Sequence, residues 1–117
     1  MKAQELRINN WVIDKLYEKP IQFKSFYGLV NVENKPEQFE PIPLTPEILE
    51  KCGFVEKLNR QWSFGENPIT HDYMITVRYS KIIDGFYYQN AHFRLRHLHQ
   101  LQNLFYSLCG EELVVNL

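Results

Sequence analysis

The side chains best suited to chemistry gather toward the end of this chain. His92, His97 and His99 share one segment, and His71 precedes Asp72 upstream. Histidine is the common zinc ligand and the usual proton shuttle near neutral pH. A zinc site needs three or four ligands converging at about 2 Å. His97 and His99 are two positions apart, so on a helix they diverge by about 200°. Only an extended backbone turns both to one face. No Cys-x-x-Cys, no His-Glu-x-x-His and no carboxylate at ligand spacing accompanies them. No metal site follows.

Nucleophilic chemistry has as little support. Cys109 stands three helical turns beyond His99, out of hydrogen-bond reach, and Cys52 has no base beside it in sequence. Each cysteine sits at the apolar end of a predicted helix, just before a glycine, which fits a reduced thiol in a cytoplasmic core. Glu111 and Glu112 are paired carboxylates, but neighbours on an extended chain face opposite ways. There is no Gly-x-Ser-x-Gly elbow and no phosphate loop. The sequence therefore assigns no catalytic residue and no cofactor.

Two other patterns point to binding. Alternation places His92, Arg94 and Arg96 on one face of a strand, with Phe93 and Leu95 toward the core. Arg78 alternates the same way on the preceding long strand, and Tyr87 points outward if Phe86 and Tyr88 point inward. A basic, partly aromatic sheet face is the general recipe for single-stranded nucleic acid. An ordinary solvated face, or pairing of this basic part with the acidic residues 33–56, explains the same residues. The second pattern is residues 97–110, which contain no Asp, Glu, Lys or Arg. Their apolar residues Leu98, Leu101, Leu104, Phe105 and Leu108 recur at helical spacing. A helix open to solvent carries charge opposite its apolar stripe, and this one offers a neutral strip of His99, Asn103, Tyr106 and Ser107. Gln102 falls among Leu98, Tyr106 and Cys109, so its amide needs a partner. Either another part of the chain covers this strip or a second protein does, a symmetric homodimer being the default partner.

These patterns need elements to carry them. The chain has 117 residues, 44% apolar and 15% aromatic, with a formal net charge of −1. That composition builds a core, and its charge balance gives no global field to attract nucleic acid or a membrane. No apolar run is long enough to span a bilayer or to serve as a signal peptide, so a cytoplasmic protein is expected. Residues 6–13 read as a strand bent at Asn9–Asn10. Residues 21–26 and 29–32 read as a hairpin around Gly28. Residues 39–44 must be extended because of Pro41 and Pro43. Thr45, Pro46 and Glu47 form a clear helix start, with Leu44 and Leu49 as a hydrophobic staple and Gly53 as the stop. Residues 54–58 and 61–64 read as a hairpin around Asn59–Arg60, 73–79 as a long strand, and 86–88 with 93–95 as a second hairpin. The last helix lacks a Ser, Thr, Asp or Asn cap near His97 and ends at Gly110; residues 113–115 follow as a strand.

The expected fold is α+β, a mostly antiparallel sheet with a short helix at 45–52 and a longer C-terminal one at 97–109. One domain over residues 1–117 is expected, a barrel-like part at 1–43 merging with a helix–sheet–helix part at 44–117.

Three segments taken together, Glu5 to Val12, Glu40 to Phe54 and Leu98 to Leu113, resemble a family of small uncharacterised proteins from Bacteroidetes genomes, often found near prophage or mobile-element genes. Where that pattern favours a glycine in its first segment, this chain has Asn9 or Asn10, either of which tolerates positive φ. The resemblance implies a bacterial or phage cytoplasmic setting and no particular chemistry. The functional expectation is a protein-interaction module that self-associates near its last helix; a nucleic-acid accessory protein using the basic face is the alternative.

Overall fold

The computed structural model describes every residue except 58, 59, 71, 90 and 92. His71, His92 and the turn positions Asn59 and Asn90 lie outside the described residues. The fold is α+β, with eight strands in two antiparallel sheets and three α-helices among the described residues. The first sheet has the order β2-β1-β3, with β1 at Trp11–Asp14, β2 at Lys19–Gln22 and β3 at Phe39–Pro41. The second has the order β4-β5-β6-β7-β8: Val55–Glu56, Gln61–Glu66, Tyr73–Ser80, Gly85–Tyr88 and Phe93–Leu95. The chain just beyond β3 stitches the two sheets together. Leu44 N–H donates to the Arg96 carbonyl and Leu98 N–H to the Ile42 carbonyl, around a bridge of Pro43 with His97.

Two hydrophobic clusters fill the fold, and β1 stands between them. Val12 joins Leu6, Phe23, Val32 and Phe39, while Trp11 and Ile13 pack on the larger cluster. That alternation is the period-2 pattern of a strand buried on both faces. The larger cluster puts the inward residues Trp62, Ile75, Val77, Phe86 and Leu95 against Leu98, Leu101 and Phe105 of helix α3, Leu98–Cys109. Burying each large apolar side chain contributes about 1.5–3 kcal/mol.

Helix α2, Pro46–Lys51, forms as its residues predict. Thr45 is the N-cap, its hydroxyl accepting from the Ile48 N–H at 3.2 Å, and Leu44 and Leu49 are both buried. Thr45→Ala is expected to lower stability by about 1 kcal/mol, read as a lower urea midpoint with unchanged slope.

Several expectations are corrected. No hairpin forms around Gly28: Phe26–Asn34 is a helix, α1. Its glycine serves close packing, since a Cβ there would lie 2.5 Å from the Phe23 ring. The first strand starts only at Trp11; residues 7–10 form a tight turn with Asn9 at φ 79°, closed by Asn10 N–H to the Arg7 carbonyl. Residues 113–115 form no strand. Leu113 is buried against the larger cluster, and Asn116 N–H bonds the Lys51 carbonyl. Phe93 faces as predicted but lies at the open edge of the sheet, half exposed rather than buried.

Candidate functional site

Helix α3 has an unusual first turn. His97, its N-cap, is extended at φ −132°, and the helix lacks the usual hydroxyl or carboxamide N-cap side chain. Gln100 reaches back instead, its Oε1 accepting from the Arg96 and His97 N–H groups at 2.7 and 3.0 Å. Glutamine at the third helical position is the recognisable half of a capping box, and that was the readable signal. Because His97 is extended, its ring stacks on His99 at 5.6 Å rather than diverging from it. Gly110 closes the helix in the left-handed region at φ 72°, as its position predicts.

The charge-free strip is covered largely by the chain's own N-terminal segment. Gln102 is fully buried; its Oε1 accepts from the Trp11 N–H at 2.9 Å and its Nε2 donates to the Asn9 carbonyl at 2.9 Å. Asn103 Oδ1 accepts from both the Arg7 Nε and the Asn10 Nδ2 at 2.9 Å, and its Nδ2 donates to the Glu5 carbonyl. Arg7 then grips the C-terminal tail through a fork to the Glu112 carboxylate at 2.7 and 3.3 Å, and its guanidinium lies 4.5 Å over the Tyr106 ring. Residue 7 thereby ties N-terminus, helix and tail together, a role invisible at long sequence separation.

Of the four interface candidates, the structure therefore places His99 and Asn103 under this cover, one buried and the other half-buried, and leaves Tyr106 and Ser107 exposed. His99 is 1% exposed, its Nε2 stands 3.9 Å from the Glu5 carboxylate and its Nδ1 makes no hydrogen bond. Burial pushes its pKa down to about 4, helped by His97 and opposed by Glu5.

On its other side the helix meets the β8 edge across an open groove of about 290 Å³. Phe93, Gln100, Asn103, Leu104 and Ser107 line it, and none of them is ionisable. Leu108, one turn beyond Leu104 on the same helix face, is half exposed.

Of the nucleic-acid candidates, Arg78 and Arg94 lie on the opposite surface of the second sheet, and His92 falls outside the described residues. The ladder puts Gln61, Arg78, Tyr87 and Arg94 side by side across four strands. Arg78 and Arg94 are exposed and flank Tyr87 directly. Arg96 lies past the end of β8, exposed, beside Arg94 in a recess that Asp84 and Tyr79 also line.

The cysteines are not poised as nucleophiles. Burial pushes the Cys52 thiol up to about 12, and burial together with Glu111 raises Cys109, whereas a reactive cysteine needs a lowered pKa. Among the described residues, no three His, Cys, Asp or Glu side chains converge as metal ligands, and no helix is long and apolar enough to cross a membrane. In comparisons with known proteins, no family model, no curated protein and no solved structure matches the chain.

Proposed function

We propose that this chain is a non-enzymatic protein-interaction module of the cytoplasm that self-associates through the groove between α3 and β8. The resemblance noted above adds a bacterial or phage setting to this reading. The groove carries it: an apolar floor of Phe93 and Leu104 with neutral polar walls, Gln100, Asn103 and Ser107, on an otherwise charged chain. Interface cores enrich aromatic residues and shed charge in this manner. A second copy is the occupant that the near-neutral chain favours, since a net charge of −1 gives little self-repulsion, and two grooves facing across a twofold axis would bury Phe93 and Leu108 of both copies.

Sedimentation equilibrium tests this. The wild-type chain is expected to show twice its 14.1 kDa monomer mass, and Phe93→Glu is expected to weaken the association about tenfold or more by placing a charge in the buried contact. Phe93 is half exposed, so the substitution leaves the monomer folded. A wild-type chain that sediments as a monomer at its highest soluble concentration rules the reading out, as does a dimer indifferent to Phe93→Glu.

A further inference from the structure

The solvent face of the second sheet is a separate surface, on the other side of the strands from the core and the groove. Residues at its outward positions follow from the register: Gln61, Ser63 and Gly65 on β5, Met74, Thr76, Arg78 and Ser80 on β6, Gly85 and Tyr87 on β7, and Arg94 on β8. The two arginines are the charged residues in this set, and no carboxylate is among them. The carboxylates of these strands and of β4, Glu66 and Glu56, pair with Tyr73 and Trp62 and so fall on the inward side. A chain of net charge −1 thus presents one locally cationic face.

The face also has relief. The turn between β6 and β7 folds over it, held by Arg94 Nη2 donating to the Ile83 carbonyl at 2.9 Å. Ser80, Ile82, Ile83 and Tyr87 line an open hollow of about 330 Å³ beside that turn. The carboxylate in the turn, Asp84, accepts from the hydroxyl of Tyr79 and lines the recess beside Arg94 and Arg96 at one end of the face. Arg78 donates through Nε to Gln89, which leaves its terminal nitrogens available. An aromatic ring beside an apolar hollow, with an arginine on each neighbouring strand about 4.8 Å away, suits a flat uncharged ring joined to anions on both sides. Base stacking on a side chain combined with phosphate contacts is how small sheets take single strands.

We propose that the Arg78–Tyr87–Arg94 row with its Ile82–Ile83 hollow is a binding site for single-stranded nucleic acid, one base resting against Tyr87 and the adjoining phosphates on the two arginines. The probe is a fluorescein-labelled oligothymidine of about 12 nucleotides, within the span one small domain covers, followed by anisotropy from about 50 to about 200 mM salt. Binding is expected to weaken with salt at a log–log slope near −1.4, two phosphate contacts at about 0.7 each on a single strand. The double variant Arg78→Gln/Arg94→Gln should bring the slope close to zero. Tyr87→Leu should weaken binding about tenfold and leave the slope alone, while Tyr87→Phe binds like the wild type. Arg78 and Arg94 are exposed and Tyr87 is half-buried, and circular dichroism of each variant confirms the fold. No anisotropy change at about 50 mM salt overturns the assignment. So does binding that ignores Tyr87→Leu, or polyglutamate competing as well as the oligonucleotide, since each would mean simple charge attraction.

Discussion

Gln102→Leu is expected to destabilise the fold by about 3 kcal/mol, although leucine nearly matches glutamine in volume and is the better helix former at that apolar site. The reason is what glutamine holds. Its amide supplies an acceptor to the Trp11 N–H and a donor to the Asn9 carbonyl, both at 2.9 Å, from a position with no solvent exposure. Leucine strands two buried backbone groups at once, and each stranded group costs about 1–3 kcal/mol. Gln102→Glu should fare no better, because it keeps the acceptor but turns a carboxylate oxygen on the Asn9 carbonyl and buries a charge. Urea unfolding reads the change as a lower midpoint with unchanged slope. A Gln102→Leu midpoint equal to that of the wild type would show that the N-terminal segment contributes little to holding α3 in place.

The same bonds explain why a helix without ionic residues is stable here. Its strip faces backbone and amide partners from residues 5–11 together with the Arg7 guanidinium, which bonds Asn103 and also reaches across to pair with Glu112. The N-terminal segment and the groove therefore divide the neutral strip between them. Asn103 takes part in both, its amide bonded to Arg7, Asn10 and Glu5 while it also lines the groove. A partner seated in the groove would rest on a side chain already oriented, so less rotamer entropy is lost on association.

Local rules made much of this legible. Thr45–Pro46–Glu47 and Gly110 mark helix ends through backbone groups within a few residues, so the sequence contains the whole cause. The alternation of Tyr73, Ile75, Val77 and Tyr79 likewise predicts its inward face, where Ile75 and Val77 are fully buried. What escaped was decided at a distance. Residues 26–34 are aromatic and β-branched enough to suggest a hairpin, yet Leu29 and Val32, three apart, bury one helical face against Phe23 and Phe39. Gly28 signals a turn by type, whereas the fold uses it because Phe23, five residues earlier, needs the space. Of the site residues, the alternation correctly set Arg78 and Arg94 outward with Tyr87. Their alignment in one row depends on strand register, which alternation alone does not determine. Arg7 had no local signal at all, since its partners lie more than ninety positions along the chain.

Acidification should weaken this fold well before its carboxylates are fully protonated, and His99 should be the principal cause. Its pKa is about 4 in the folded chain against 6.5 when exposed. A base whose folded pKa is depressed holds fewer protons folded than unfolded between those two values, so stability falls as pH drops through that window. The full contribution is present above pH 6.5, declines from there and is exhausted near pH 4. At 1.36 kcal/mol per unit the difference reaches about 3 kcal/mol. The groups around the ring set the sign. Burial dominates, the stacked His97 lowers the value further when charged, and Glu5 at 3.9 Å pulls the other way without reversing it. His97 is itself lowered, first by burial and then by Arg96, with Glu5 again opposing, so it adds a smaller loss in the same direction. His99→Leu removes the titrating group along with a buried nitrogen that makes no hydrogen bond. That variant should match or exceed the wild type at pH 7 and lose most of the decline between pH 6.5 and 4. Removing the opposing charge with Glu5→Gln should carry the wild-type decline to lower pH. Urea midpoints taken across this range decide it: parallel curves for wild type and His99→Leu would show that the acid sensitivity does not arise at the helix's buried ring.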